Sequence, residues 1–414
     1  MRVLFLTASF HPLTGGAESY GRSLAKGLAA LGHGVTVVTD GSWLEGLPVS
    51  SVEDGYRVIR LRAFAPTLAA RDRVPWRQMQ YSILHELGEV LEDEVSFDIV
   101  HANSHEMLMM GLVVAEDSGA SLVASLHEQS PDLEPFGKGK CRVAYSVLPV
   151  DLQLAGSRFY RDRALFYGTP PERVRLIYHG LEPLDQDPDR GGARRQLGVA
   201  DDEQLIVCPA RVYERKGQKH LAAAFSAIRS RFPRAKLMLA GRVSNESYAQ
   251  DVEALLADDL EAGRVIWRRD LTTDEMPDIL AAADVVVQPS LEEGLGLACI
   301  EAMQVGAAVV ATDVVGLNEV VTDGHDGLVV PASDPSALAS AVIRMLEDPE
   351  LRARLSAEAR RTVGRVFSSD RMVRETVEAY ETARDNRRAA ASGGTPVPTV
   401  EQPHIAAADV ATLR

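Results

Sequence analysis

Glu293 and Glu301 bracket a glycine-containing turn in Pro289-Ser-Leu-Glu-Glu-Gly-Leu-Gly-Leu-Ala-Cys-Ile-Glu-Ala-Met. A strand-like run ends at Gln288, and a helical pattern starts near Gly296. Glu293 is thus expected at a helix N-terminus and Glu301 about two turns inside, which at about 1.5 Å per residue separates the carboxylates by roughly 12 Å along the axis. That span suits hydroxyls at the two ends of an elongated polar ligand. It is too long for a carboxylate pair flanking one glycosidic bond. Free N–H groups at Gly294, Leu295 and Gly296 stand between them, ready for a phosphate or sugar oxygen. Glu301 also falls among apolar Ile300, Ala302 and Met303, where a carboxylate needs partners. The plainer alternative leaves Glu293 complementing a helix dipole and Glu301 facing solvent.

Other residue sets carry similar pairs of meanings. Arg211 follows an apolar run and Lys216-Gly217 opens the next helical stretch. Such cations hold a diphosphate, Arg as a fork and Lys as a point charge, or they belong to a solvated charged face. Gly15 and Gly16 close the first strand, where a backbone without Cβ atoms approaches an anion or simply turns tightly. His127, Glu128 and the pair His105-Glu106 sit at strand ends; a lone histidine there is either structural or site-forming. No histidine, cysteine or carboxylate spacing suggests a metal site, and no G-x-S-x-G signature is present.

The elements that position these groups alternate along the chain. Apolar β-like runs at 2–8, 34–39, 56–61, 98–101, 121–127, 151–155 and 174–178 are separated mostly by helical patterns such as 18–31. A Pro-, Gly- and Asp-rich stretch, 183–203, interrupts them. A second series follows at 204–210, 235–241, 264–267, 284–288, 307–312 and 327–330, with helices at 217–231, 273–282, 296–305 and 335–347. Near-continuous apolar strands between helices predict parallel sheets covered on both faces. The expected architecture is therefore α/β: two Rossmann-like, doubly wound domains, 1–183 and 204–368, joined by a linker at 184–203. A ligand belongs in the cleft at the strands' carboxyl ends. One further helix is expected at 369–385, and 386–414 is too poor in large apolar residues to fold alone.

Composition narrows the function further. The 44 Lys and Arg against 59 Asp and Glu give −15 over 414 residues, which argues against a nucleic-acid partner. No run of eighteen apolar residues and no leader-like N-terminus is seen, so a cytoplasmic chain is expected. Three scattered cysteines read as reduced core residues.

Taken together, four stretches resemble the retaining GT-B glycosyltransferases of family 4 over about residues 1–385. They are VLFLTASFHPLTGGAES, PARVYERKG, ADVVVQPSLEEGLGLACIEAMQVGAAVVAT and GLNEVVTDGHDGLVVPASDPSALASAV. The third carries that family's E-x7-E signature as Glu293 and Glu301. The resemblance implies a nucleoside-diphosphate sugar, UDP or GDP, bound by the C-terminal half, and no metal cofactor. It also implies an acceptor on the N-terminal half and a last helix folded back onto the first domain. Gly15 and Gly16 then face the donor diphosphate, while Arg211 and Lys216 hold it. Glu293, with the Gly294, Leu295 and Gly296 backbone, takes sugar hydroxyls, and Glu301 takes the ribose. His127 lies near the transferred sugar, completing a catalytic set with Arg211, Lys216 and Glu293.

Two motifs depart from the family pattern. Its I-P-N-G-V-D reads Ile177-Tyr178-His179-Gly180-Leu181-Glu182, and its V-x-F-L-G ends here on Arg268-Arg269, where an arginine such as Arg268 can read a guanine edge in place of the usual uracil, leaving UDP and GDP both open. His105, Glu128 and Asp132 are expected around a small polar acceptor; the carboxylates there either draw a cationic one or, as the favoured plainer reading, form a solvated acidic loop. The Ala-rich, Lys-poor composition suits GC-rich coding, as in an actinobacterium, and says nothing about chemistry; a place in natural-product or small-thiol/glycoside biosynthesis there is a separate expectation. Hydrolysis or epimerisation of the sugar nucleotide on the same fold, or an inactive nucleotide-binding scaffold, are the competing readings.

Overall fold

The computed structural model describes residues 1–13, 15–41, 46–62, 76–92, 96–128, 137–272 and 274–392. The first sheet has eight strands: β1 Arg2–Leu6, β2 Gly34–Asp40, β3 Ser50–Glu53, β4 Tyr56–Leu61, β5 Ile99–Ala102, β6 Ser121–Ser125, β7 Leu152–Ala155 and β8 Val174–Leu176. Its order is β3-β4-β2-β1-β5-β6-β7-β8. All pairings are parallel except β3 with β4. The second sheet, all parallel, has the order β11-β10-β9-β12-β13-β14. Its strands are β9 Leu205–Pro209, β10 Lys236–Ala240, β11 Val265–Arg268, β12 Val285–Gln288, β13 Val309–Thr312 and β14 Leu328–Val330.

Apart from the edge strand β3, the strands are largely apolar because both faces of each sheet are covered. Alternate residues of β1 serve different cores: Val3 and Phe5 pack on one face, Leu4 and Leu6 on the other. On β9, Ile206 and Cys208 face one layer and Leu205 and Val207 the opposite one. Cys141, Cys208 and Cys299 are free and buried.

Several elements differ from the sequence reading. The stretch 184–203 contains the helix Arg190–Gln196, which belongs to the second domain. Its buried Arg194 donates to the carbonyls of Ala282 (3.0 Å), Ala200 (2.7 Å) and Glu203 (2.7 Å). An additional helix, Pro349–Val366, precedes the last one. The last helix runs Ser369–Ser392, past the expected end at 385, so 386–392 is helical and not a tail. Residues 393–414 lie outside the described residues. No helix among the described residues is long and apolar enough to cross a membrane.

The last helix returns to the first domain, burying Met372, Val373, Ala379, Tyr380 and Ala383 in its core. Tyr380 Oη and His101 Nδ1 lie 2.8 Å apart, and His101 Nε2 meets Ser125 Oγ at 2.8 Å. Burial holds the His101 ring well below its usual range, down to about 3, so it stays neutral. Crossings between domains are also paired side by side. Leu181 N–H donates to Phe367 O (2.8 Å), and Ser369 N–H donates to Leu181 O (2.9 Å). A Cβ on Gly180 would stand 2.3 Å from Ser368 O, so only glycine allows this approach.

Tyr380→Phe removes the hydroxyl from a fully buried imidazole nitrogen. We expect this to destabilise the N-terminal domain by about 1–3 kcal/mol, read from the urea denaturation midpoint. An unchanged midpoint would mean that the apolar face alone holds the helix.

Candidate active site

The carboxyl ends of β9 and β12 build the centre of the cleft. After β9 the chain passes Arg211 and turns at Gly217, whose φ of 67° is left-handed. A Cβ there would lie 1.9 Å from Pro289 O, so the loop after β9 presses directly on the loop after β12. Leu291 N–H donates to Arg215 O (2.7 Å) across the same seam. This backbone contact delivers Lys216 Nζ to 2.5 Å from Glu293 Oε1. The same carboxylate oxygen accepts from Ser290 Oγ (2.8 Å) and Gln288 Nε2 (3.1 Å). Glu293 is 6% exposed, and its charge is met by a cation and two neutral donors, as a buried carboxylate requires.

Glu293 precedes the helix Leu297–Gln304, in a turn, while Glu301 stands about one turn inside it. The roughly 12 Å axial separation assumed a continuous helix, and that geometry does not apply. Gly296 (φ 89°) makes the turn, and Gly316 lies so close that its Cβ would meet Glu293 O at 2.6 Å. The Glu301 carboxyl has no hydrogen-bond or ionic partner among the described residues. Burial pushes its carboxyl up to about 7, although the side chain keeps partial exposure. A carboxylate in that setting lacks the donors that two ligand hydroxyls would bring.

Cations at the neighbouring strand ends divide into two groups. Arg268 donates to Asp270 (3.0 Å) and Glu275 (3.3 Å), so the expected base-reading guanidinium is already engaged by carboxylates. Arg211 is exposed, stacked over the Tyr213 ring at 5.4 Å, and no carboxylate pairs with it among the described residues.

Opposite stands the edge of the first sheet. A Cβ on Gly16 would come within 2.9 Å of Leu297 Cδ1, which brings the first loop to the start of the Glu301 helix. The Glu18 side chain covers Gly15 and accepts from Ser9 Oγ (2.5 Å). His127 pairs through Nε2 with Asn103 Oδ1 (2.8 Å), while its Nδ1 is buried without a partner among the described residues. Burial, then the nearby His179, keeps this ring well below the usual imidazole range. His179, the residue that departs from the family pattern, stacks on Tyr20 with ring centroids 4.4 Å apart. It is wedged against Gly156, where a Cβ would fall 2.3 Å from its Nε2.

The expected acceptor residues are drawn together, but largely to satisfy one another. Glu128 accepts from His105 N–H (2.7 Å) and pairs with His105 Nδ1 (2.6 Å). Burial works to raise the Glu128 carboxyl, and the His105 contacts outweigh it, bringing it down to about 2. Glu106 pairs with Lys140 (3.3 Å). Asp132 lies outside the described residues.

Closure of the cleft uses a contact that the sequence reading did not anticipate. Glu319, on the second domain, accepts from Arg158 N–H (2.7 Å) and Phe159 N–H (3.3 Å) at the start of the helix Arg158–Phe166. It also accepts from Tyr178 Oη (3.0 Å). Tyr160 Oη donates to His127 O (2.8 Å) and packs so closely on Gly294 that a Cβ would stand 2.1 Å from it.

Comparison with known proteins agrees with this arrangement. A model described as Glycosyltransferase Family 4 matches residues 14–183, and one described as Glycosyl transferases group 1 matches 189–362. An alpha-maltose-1-phosphate synthase of Mycolicibacterium smegmatis is 30% identical over 307 residues, 68% of this chain and 78% of the relative. The chain belongs to glycosyltransferase family 4. A D-inositol 3-phosphate glycosyltransferase of Acidothermus cellulolyticus is 28% identical over 396 residues, 91% of this chain and 88% of the relative. Among solved structures, the Anabaena protein Alr3699/HepE in complex with UDP and glucose superposes with a TM-score of 0.72 at 22% identity. That match covers 92% of the transferase and 100% of the neighbour, so the two share the GT-B fold.

The Glu301 carboxyl sets a pH test. An unfolded glutamate releases its proton near 4.5, whereas the folded transferase holds this one until about 7. Between those values the folded state binds more protons, so stability falls as pH rises, and the full cost persists above about 7. Glu301→Gln is therefore expected to raise Tm in plain buffer at pH 8, by about 2–4 °C per kcal/mol removed, and to change it little at pH 5. Equal shifts at both pH values would contradict the assignment.

Proposed function

We propose that this transferase moves a hexose-like sugar from a nucleoside-diphosphate donor to a small polar acceptor, with retention at the anomeric carbon and without a metal cofactor. The observation that carries the reading is the Lys216–Glu293 pair beside the exposed Arg211, at the carboxyl ends of β9 and β12. As the anomeric C–O bond breaks, negative charge grows on the departing diphosphate. Arg211, Lys216 and the N–H groups at Gly294–Gly296 are fixed donors for that charge. The acceptor hydroxyl bonds to the anomeric carbon on the face the diphosphate leaves, and its proton passes to a leaving-phosphate oxygen. Glu293 orients sugar hydroxyls, Glu301 takes the ribose hydroxyls, and His127 faces the transferred sugar.

UDP is the favoured nucleotide. Arg268 is held by Asp270 and Glu275, which takes it away from reading guanine. UDP is also the nucleotide bound in the Anabaena neighbour. For the acceptor we carry over a polyol, the class named by the inositol-phosphate relative. Pairing of Glu128 with His105 and Glu106 with Lys140 removes much of the field that would draw a cationic acceptor. No set of three metal-ligating side chains occurs among the described residues.

Labelled UDP- and GDP-sugars incubated with a panel of polyol, amine and lipid acceptors test this reading. Acceptor-dependent transfer supports it, whereas acceptor-free turnover points to a hydrolase or epimerase, and binding alone to a scaffold. Arg211→Ala and Lys216→Ala are each expected to lower kcat on the order of 100- to 1,000-fold with the circular dichroism spectrum unchanged. Near-normal turnover in both would refute the phosphate assignment. Turnover is also expected to survive EDTA; activity lost in EDTA and restored by manganese would count against the proposed mechanism.

A further inference from the structure

Three adjacent strand ends of the first sheet, β1, β5 and β6, are joined by a line of side-chain hydrogen bonds. Thr7 Oγ1 donates its one proton to Ser9 O at 2.9 Å. Its lone pairs then remain to accept from Asn103 Nδ2, 3.3 Å away. That contact fixes which way the Asn103 amide faces, since a flipped amide would set its oxygen against a hydroxyl whose proton is already committed. Asn103 Oδ1 is left pointing at His127 Nε2, at 2.8 Å, and an oxygen there only accepts. Nε2 must therefore carry the imidazole proton. Both Thr7 and Asn103 are 2% exposed, so water does not compete for these contacts.

The consequence appears at the other nitrogen. With the ring neutral, Nδ1 is a bare lone pair, buried and without a protein partner among the described residues. A buried acceptor in that condition is matched only by an incoming donor. As a residue His127 is partly exposed, while Nδ1 itself is covered, so a sugar hydroxyl reaches it only as the surrounding rings give way around the ligand. We infer that Thr7 and Asn103 are positioning residues that lock His127 in the Nε2–H tautomer, so that Nδ1 accepts a hydrogen bond from a hydroxyl of the bound sugar. In this state His127 orients a hydroxyl and cannot act as a proton donor through Nδ1. The inference rests on the proposed placement of His127 beside the transferred sugar.

The surroundings keep the ring in that state. His179 and Tyr20 lie against it with centroids 4.8 and 4.9 Å away, and Tyr160 meets it edge-on at 6.2 Å. Burial first, then the neighbouring His179, His101 and Arg163, work against protonation of the ring, and Glu128 works for it. An Asn103→Asp carboxylate would still accept from Nε2–H, its negative charge drawing the Thr7 proton from Ser9 O to its second oxygen, but it would also stabilise the imidazolium. Below the raised pKa, Nδ1 would carry a proton and lose its acceptor role.

Nitrogen-15 spectra of histidine-labelled full-length protein test the tautomer directly. The wild type is expected to show a protonated Nε2 and a bare Nδ1 for His127, with Nδ1 shifting when UDP-glucose is added. Asn103→Leu is expected to mix the tautomers and lower kcat on the order of 10–100-fold, the range for losing a partner that orients a ligating imidazole. Asn103→Asp is expected to restore the tautomer and activity at high pH, with a new acidic limb in the rate profile that the wild type lacks. This rescue separates positioning from a folding defect. A protonated Nδ1 in the wild type, or an Asn103→Leu variant with unchanged tautomer and kcat, would overturn the inference. Full activity in His127→Ala would refute the sugar-facing role of His127, while the spectra would still judge the tautomer lock.

Discussion

Two passages of the chain between the domains, at 180–182 and 367–369, lie against one another as a short parallel bridge. The cleft depends on that bridge, because it sets how the carboxyl edge of one sheet meets the carboxyl edge of the other. Gly180 permits the approach. Glu182, one residue past the bridge, ties both neighbours: its carboxylate takes Ser23 (3.0 Å) and Lys26 (2.6 Å) from the first helix, and its carbonyl takes Gln304 Nε2 (2.7 Å). Gln304 ends the helix that carries Glu301. The helix bearing one site carboxylate is thus referenced to the hinge at its far end and to the first loop at its near end, where Leu297 meets Gly16.

Charge is distributed with the same economy. In a chain with fifteen more carboxylates than Lys and Arg, most cations find acidic partners. Arg268, Arg269 and Lys219 do so around the second sheet's edge, and such exposed pairs contribute little to stability. Lys216–Glu293 is different, since both side chains are largely buried and each would be costly alone. It is a local commitment made possible by two backbone loops in direct contact at Gly217 and Pro289.

How much of this could be read from sequence follows physical range. Strands of the two sheets announce themselves because burial on both faces demands unbroken apolar runs. β3, Ser50–Glu53, is an edge strand without such a run and escaped notice. The helix Pro349–Val366 hid among charges, its buried face made partly of Ala359 and Thr362. Helix Arg190–Gln196 looked like linker because its stability comes from Arg194 reaching carbonyls nearly ninety residues away, at Ala282. The same limit applies to the site. Glu293, Glu301, Arg211 and Lys216 stand in compact motifs, whereas the Thr7–Asn103 contact joins residues 96 apart and the Glu319–Arg158 contact residues 161 apart. No local spacing encodes either. Arg268 was legible as a cation at a strand end, but its carboxylate partners turned its meaning.

The Glu319 contact has a bearing on how the molecule breathes. A carboxylate on one domain sits on the positive end of a helix in the other, so any widening of the cleft separates opposite charges into water. Interactions of this kind amount to about 0.3–1 kcal/mol when exposed, up to roughly 2 when sheltered, and they fade as salt screens them. Salt is therefore expected to weaken this tie between the two domains. Small-angle scattering should show the radius of gyration rising with salt in the parent and much less in Glu319→Gln. The seam between the domains thus answers to the medium as well as to the packing around it.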